Sequence, residues 1–240
     1  MSPTGGGFCF EQLVELAGFS VAQAITKVYS KDQFPAVAVF SGPGNNGLDG
    51  LVAARHLAHF GYRPRIYYPK RPDKPVNKGL MRQCELLDIP FVESPDAGLK
   101  DADLVVDAIF GFSFSGEVRE PFRGAIGALS KTSLPIVSVD IPSAWDVEKG
   151  DIGGNGLLPS MLVSLTAPKE GAQGFQGIHY LGGRFINKHM DEKWGLNLPD
   201  FPGTDQCVRL GSAADTQTRA SVGNRMDDHF LHNVASQSLF

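Results

Sequence analysis

Cysteine is scarce. Cys9, Cys84 and Cys207 are widely spaced and form no CxxC pair. That excludes a disulfide framework or a thiolate zinc site as the organising feature and makes a reducing compartment the default. No apolar run approaches the ~18 residues of a membrane-spanning helix. Positive charge is also short, with 22 Lys+Arg against 26 Asp+Glu, a formal net charge of −4, and no basic cluster. Nucleic acid is therefore excluded as a partner, because affinity for phosphate backbones needs massed Lys and Arg. The missing GK[ST] signature removes a P-loop nucleotidase, and no GxSxG elbow or HExxH pair supports a serine hydrolase or a zinc protease. The first residues hold neither a signal-peptide core nor an Arg/Ser-rich transit pattern. The expected location is cytoplasmic, or mitochondrial or secreted where a longer precursor carries a targeting segment.

Glycine and proline are plentiful, 28 and 16 in 240 residues, without a period that would suggest a fibre. They belong to loops between regular elements. Apolar spacing predicts a helix over 11–29, with Gly18 as an internal weak point. Continuous apolar runs at 36–40, 104–110 and 135–141 predict strands covered on both faces. Further strands are expected at 65–68, 90–93, 161–166 and 178–181. Further helices are expected from Leu51 to near Gly61, at 77–88 and at 120–131. The alternation predicts an α/β fold of three layers around a mainly parallel sheet. Residues 1–9 are expected to be flexible, 10–210 to form the domain, and 211–240, polar and aperiodic, to be a weakly ordered tail.

In such a sheet ligands sit beyond the strands' carboxyl ends, where strand order reverses. Three loops leave strand ends with unusual content. The first, over 41–50, holds GxGxxG (Gly42, Gly44, Gly47) and the polar side chains of Asn45, Asn46 and Asp49. It reads either as a phosphate-cradling turn or as a tight strand–helix connection. The other two begin at Asp107 and Asp140, carboxylates late in apolar strands, which need partners, a cation or a shifted pKa. They are either loop caps or an acid/base and cation site. Ser143 and nearby carbonyls would complete an oxygen-only shell suited to a hard cation. If the order is 3-2-1-4-5, all three loops line one crevice.

The motifs GPGNNGLDG, VVDAIFGFSFSGEVREPF, VDIPSAWDVEKG, LVSLTAPK and HYLGGRF resemble the YjeF N-terminal domain family. The resemblance implies a Rossmann-like fold, a homodimer, and an isomerase that epimerises hydrated NADH or NADPH between R and S forms. It places Asn45, Asn46, Gly47, Leu48 and Asp49 in one substrate loop and Gly111, Phe112, Ser113, Phe114, Ser115, Gly116 and Glu117 in a second. It gives Asp140 to the substrate as the catalytic candidate, and Asn46, Asp107 and Ser143 to a potassium ion. Leu48, Ser115, Glu117 and Ala144 depart from the family pattern, which carries the expectation of weakened substrate binding and slowed epimerisation. Reverting Leu48, Ser115 and Ala144 together is expected to raise activity more than stability. Two other functions compete: a non-catalytic binder of apolipoprotein A-I on the same fold, and an NADP-dependent oxidoreductase holding a 2′-phosphate with Lys70 or Arg71.

Overall fold

The computed structural model describes residues 7–154 and 156–211; the expectations for the first six residues and for the tail from 212 lie outside them. The chain begins with α1 (Phe10–Val28), β1 (Ala36–Ser41), α2 (Asn45–His59), β2 (Arg63–Tyr67), α3 (Pro75–Glu85) and β3 (Phe91–Val92). It continues through α4 (Pro95–Leu99), β4 (Leu104–Ala108), α5 (Phe122–Leu129), β5 (Ile136–Val139), β6 (Met161–Leu165), β7 (Ile178–Gly182), α6 (Lys188–Trp194) and β8 (Cys207–Arg209). The strands form one sheet in the order β3-β2-β1-β4-β5-β6-β7-β8. Every pairing is parallel except that of β7 with β8. The fold is the expected three-layer, Rossmann-like α/β arrangement.

The continuous apolar runs have a direct structural counterpart. In β1 every residue is buried, Val37 and Val39 entering one core and Ala38 and Phe40 the other. Helices α1, α2 and α3 cover the first face, whereas α4 and α5 cover the second. Period-2 alternation in a doubly covered strand thus sends apolar side chains both ways. Gly18, read as a weak point of α1, has a packing reason. A Cβ there would stand 2.4 Å from Val52 Cβ, so glycine lets α1 lie close against α2.

One boundary differs from the sequence reading. The segment 41–50 is not a loop, because α2 begins at Asn45, six residues before the expected start. Gly47 and Gly50 sit inside its first turns, and both face the sheet. A Cβ on Gly47 would lie 1.9 Å from the Gly42 carbonyl oxygen, and one on Gly50 2.6 Å from Ala108 Cβ. Glycines that look like loop residues here permit helix–sheet contact instead. Three short elements, α4, α6 and β8, also escaped the periodicity reading. The two helices are capped by side chains: Ser94 accepts from Ala97 N, and Asn187 from Met190 N.

Candidate active site

Strands β1 and β4 are neighbours, with Ser41 opposite Ala108, and the chain leaves them in opposite directions across the sheet. This is the switch point of the sheet. A cavity of about 340 Å³ opens there, within the ~300–1,000 Å³ range of small-ligand sites. Its wall is built from the start of α2, the β4–α5 loop, Asp140 after β5, Leu165 to Lys169 after β6, and the apolar side of α1.

Eight residues expected at the site line this cavity: Asn45, Asn46, Asp49, Gly111, Phe112, Ser113, Phe114 and Asp140. Gly44, the N-cap of α2, faces open space, and beyond its two chain neighbours no atom of the described residues lies within 4 Å of where its Cβ would be. The positive dipole end of this 15-residue helix is therefore accessible to an anion. On the opposite wall Phe110 and Phe114 stack, with ring centroids 4.0 Å apart and an interplanar angle of 17°.

Asp140 has φ +70°, and its own N–H donates to the Val163 carbonyl at 2.8 Å. One carboxylate oxygen accepts from Phe112 N at 2.9 Å, and the other is ion-paired with Lys169. Lys169 is the group that the sequence reading missed. It is 7% exposed and also donates to the carbonyls of Leu165 (2.8 Å) and Ala167 (3.2 Å). All three ammonium donors are thus occupied, and the group stands 5.6 Å above the Phe112 ring. Neither period nor spacing marks it, because it follows Pro168 four residues past the end of β6.

Asp49, on the first turns of α2, is 8% exposed. Burial pushes its carboxyl well above the usual carboxylate range; the charge of Asp140 adds to the shift and Lys169 opposes it.

Asp107 and Ser143 lie behind the cavity wall, fully buried. Asp107 accepts from Ser143 Oγ (2.6 Å), Ser143 N (2.9 Å), Ser138 Oγ (2.9 Å) and Ile109 N (3.3 Å). Burial raises its carboxyl, and these bonds oppose the rise. Ser143 Oγ in turn accepts from Phe110 N at 3.0 Å. The carboxylate therefore ties β4, β5 and both following loops together. Asn46 differs: both polar atoms of its amide are buried without a hydrogen-bond partner among the described residues.

The other expected residues lie elsewhere. Leu48 is 3% exposed and packs in the core shared with α1, so it does not narrow the cavity mouth. Gly47 faces Gly42, as described above. Ser115, Gly116 and Glu117 are exposed and off the cavity wall, with Glu117 ion-paired to Arg123 at 2.6 Å. Lys70 and Arg71 are also absent from the wall. Arg71 donates to the Tyr68 carbonyl and lies 4.8 Å over the Phe91 ring. The 2′-phosphate reading has no support in this geometry.

Of the departures from the family pattern, Ala144 alone carries strain, at φ +74°. Ala144→Gly should raise stability by roughly 0.5–1 kcal/mol, read as a melting-temperature increase of about 1–4 °C. Leu48→Gly, by contrast, should destabilise by more than ~3 kcal/mol through a core cavity and lost helix propensity. The combined reversion with Ser115→Lys should therefore lower stability. An unchanged melting temperature on Leu48→Gly would contradict the core placement.

A family model described as YjeF-related protein N-terminus matches residues 10–171. The chain belongs to this family. NAD(P)H-hydrate epimerase of Neurospora crassa is 52% identical over 209 residues, covering 85% of this chain and 88% of its own. The Arabidopsis thaliana protein named pyridoxine/pyridoxamine 5′-phosphate oxidase 1, chloroplastic, is 52% identical over 240 residues, 94% of this chain but 45% of its own. The crystal structure of yeast ynu0, YNL200c, superposes with a TM-score of 0.79 at 42% identity, covering 85% of this chain and 91% of its own.

Proposed function

We propose that this chain is an NAD(P)H-hydrate epimerase, an isomerase that interconverts the R and S forms of hydrated NADH and NADPH. The observation that carries this reading is a single cavity holding both an accessible helix N-terminus and the Asp140–Lys169 pair. It stands in a chain half-identical to proteins of that name. The open surface at Gly44 and the positive dipole end of α2 suit the phosphates. Phe110, Phe112 and Phe114 offer apolar faces to a planar ring, and Asp49 and Asp140 supply acid–base chemistry. The test is chiral chromatography of purified R hydrate incubated with the protein. S hydrate should form at rates far above the spontaneous interconversion and above those of boiled protein. A rate equal to that of the boiled protein would overturn the reading.

We further propose a potassium ion held by Asn46, Asp107 and Ser143. The donor set is oxygen-only, which suits an alkali cation over zinc. Among the described residues the Asn46 amide has no partner, and the hydrogen bonds to Asp107 all come from uncharged donors. A bound cation would neutralise the buried carboxylate and fix the Asn46 side chain beside the substrate. To admit it, the Ser143 hydroxyl must turn its proton away from Asp107. A ligand that binds only the folded state stabilises it, by about 2.7 kcal/mol at 100 times its Kd. The protein should therefore melt several degrees higher in potassium chloride than in tetramethylammonium chloride at equal ionic strength, and Asn46→Ala should shrink the gap. Equal melting temperatures in the two salts would refute the site.

A further inference from the structure

Three titratable side chains line the cavity: Asp49, Asp140 and Lys169. They are not equivalent. Lys169 has all three donors engaged, by Asp140 and by the carbonyls of Leu165 and Ala167. Asp140 is fixed at both oxygens, by Lys169 and by Phe112 N. Asp49 forms no ion pair and accepts no hydrogen bond among the described residues, and it is buried in the cavity that the apolar side of α1 also lines. Two carboxyl groups facing one cavity have been placed in opposite environments, the arrangement by which an acid and a base are told apart.

From this we infer that Asp49 is the catalytic acid of the epimerisation and Asp140 its base, with Lys169 as the residue that positions and charges Asp140. The inference rests on the epimerase reading. In the substrate, the ring carbon that carries the added hydroxyl is bonded to the ring nitrogen. Asp49 gives its proton to that hydroxyl; the carbon–oxygen bond breaks, water leaves, and the nitrogen lone pair forms a carbon–nitrogen double bond. The resulting cation faces two carboxylates. Water adds to the other face of the ring carbon, the double-bond electrons return to nitrogen, and Asp140 takes the proton released by that water. Proton return from Asp140 to Asp49 through water restores the starting state. The reverse reaction runs through the same groups with the proton first on Asp140. No oxidant, reductant or further reactant is needed.

The groups that face Asp49 decide its behaviour. Asp140 and Lys169 are the charged ones, from the ends of β5 and β6; α1 contributes only Phe10, Leu13, Val14 and Ala17 to the cavity. A buried carboxyl whose proton is held more tightly when folded than when unfolded stabilises the protein below the usual carboxylate range. That contribution is lost as pH rises through the folded value.

The test compares wild type, Asp49→Asn and Asp49→Glu with R and S hydrated NADH. Asp49→Asn should lower kcat by ~10²–10³-fold with KM within about threefold, as expected on loss of one proton-transfer group. Asp49→Glu should recover part of kcat. In ¹⁸O-labelled water each epimerisation should place solvent oxygen in the product hydroxyl, read by mass spectrometry. Independently of activity, the melting temperature of the wild type should fall with rising pH relative to Asp49→Asn. If wild type does not epimerise, the functional reading itself fails. If wild type epimerises while Asp49→Asn keeps kcat within threefold, or the product carries no solvent oxygen, the acid role is refuted. A parallel pH course of the two melting temperatures would show that the proton is not held at Asp49.

Discussion

Replacing Lys169 by methionine should destabilise the fold by about 3 kcal/mol and remove most of the epimerisation at once. The ammonium is one half of a buried ion pair whose side chains are only 5% and 8% exposed. Breaking such a pair by removing one partner typically costs ~3–5 kcal/mol, because the remaining charge stays buried without compensation. Asp140 would keep a single donor, Phe112 N. For a chain of this size each kcal/mol shifts the melting temperature by about 2–4 °C, so a fall of roughly 6–12 °C is expected. The double variant Lys169→Met with Asp140→Asn separates the two consequences. With both charges gone, stability should return to within about 1–2 kcal/mol of wild type, while turnover stays lost. If the single variant melts within 2 °C of wild type, Asp140 has found another partner and the pair does not organise the site.

Asp107 and Asp140 could be picked out from the sequence because each interrupts or closes a run that is otherwise apolar, where a charge needs a reason. Lys169 could not. It follows Pro168 in a stretch with no periodicity, and a lysine there reads as a solvated surface group. Its burial depends on the turn after β6, where Thr166 adopts φ +68° and the carbonyls of Leu165 and Ala167 face the ammonium. Such local backbone geometry has no signature in composition or spacing.

Leu48 failed for a related reason. Placing a side chain on a helix requires the helical phase, and the phase depends on where the helix starts. With α2 beginning at Asn45 rather than Leu51, residue 48 falls on the core face and residue 49 on the cavity face. The strands were easier to place. In a doubly covered strand most positions are apolar, so the run itself marks the element, and its ends bound the site.

The other large effect is expected at Gly42, where three chain segments meet. Its N–H donates to the Ala108 carbonyl at 3.0 Å, joining the exits of β1 and β4. A Cβ at this position would lie 1.7 Å from the Ile109 carbonyl oxygen and 2.6 Å from the carbonyl carbon. Both are backbone atoms that cannot rotate aside. The Gly42 carbonyl in turn occupies the space next to Gly47 on α2. Admitting one methyl would therefore push the β4–α5 loop, the first turn of α2 or both, and loosen the wall that holds Asn46 and Gly111. Overpacking of a rigid contact costs ~1–3 kcal/mol and more where nothing yields, so Gly42→Ala should lose at least 3 kcal/mol in urea unfolding. Gly44→Ala is the control, two residues away in the same glycine pattern. Its Cβ would meet nothing within 4 Å, so stability should change by less than about 1 kcal/mol while the methyl obstructs the phosphate approach at the helix N-terminus. The two substitutions should thus separate cleanly, the first acting on the fold and the second on nucleotide affinity. Equal urea midpoints for the two variants would mean that the β1 and β4 exits do not touch at Gly42, and the crevice would have to be built differently.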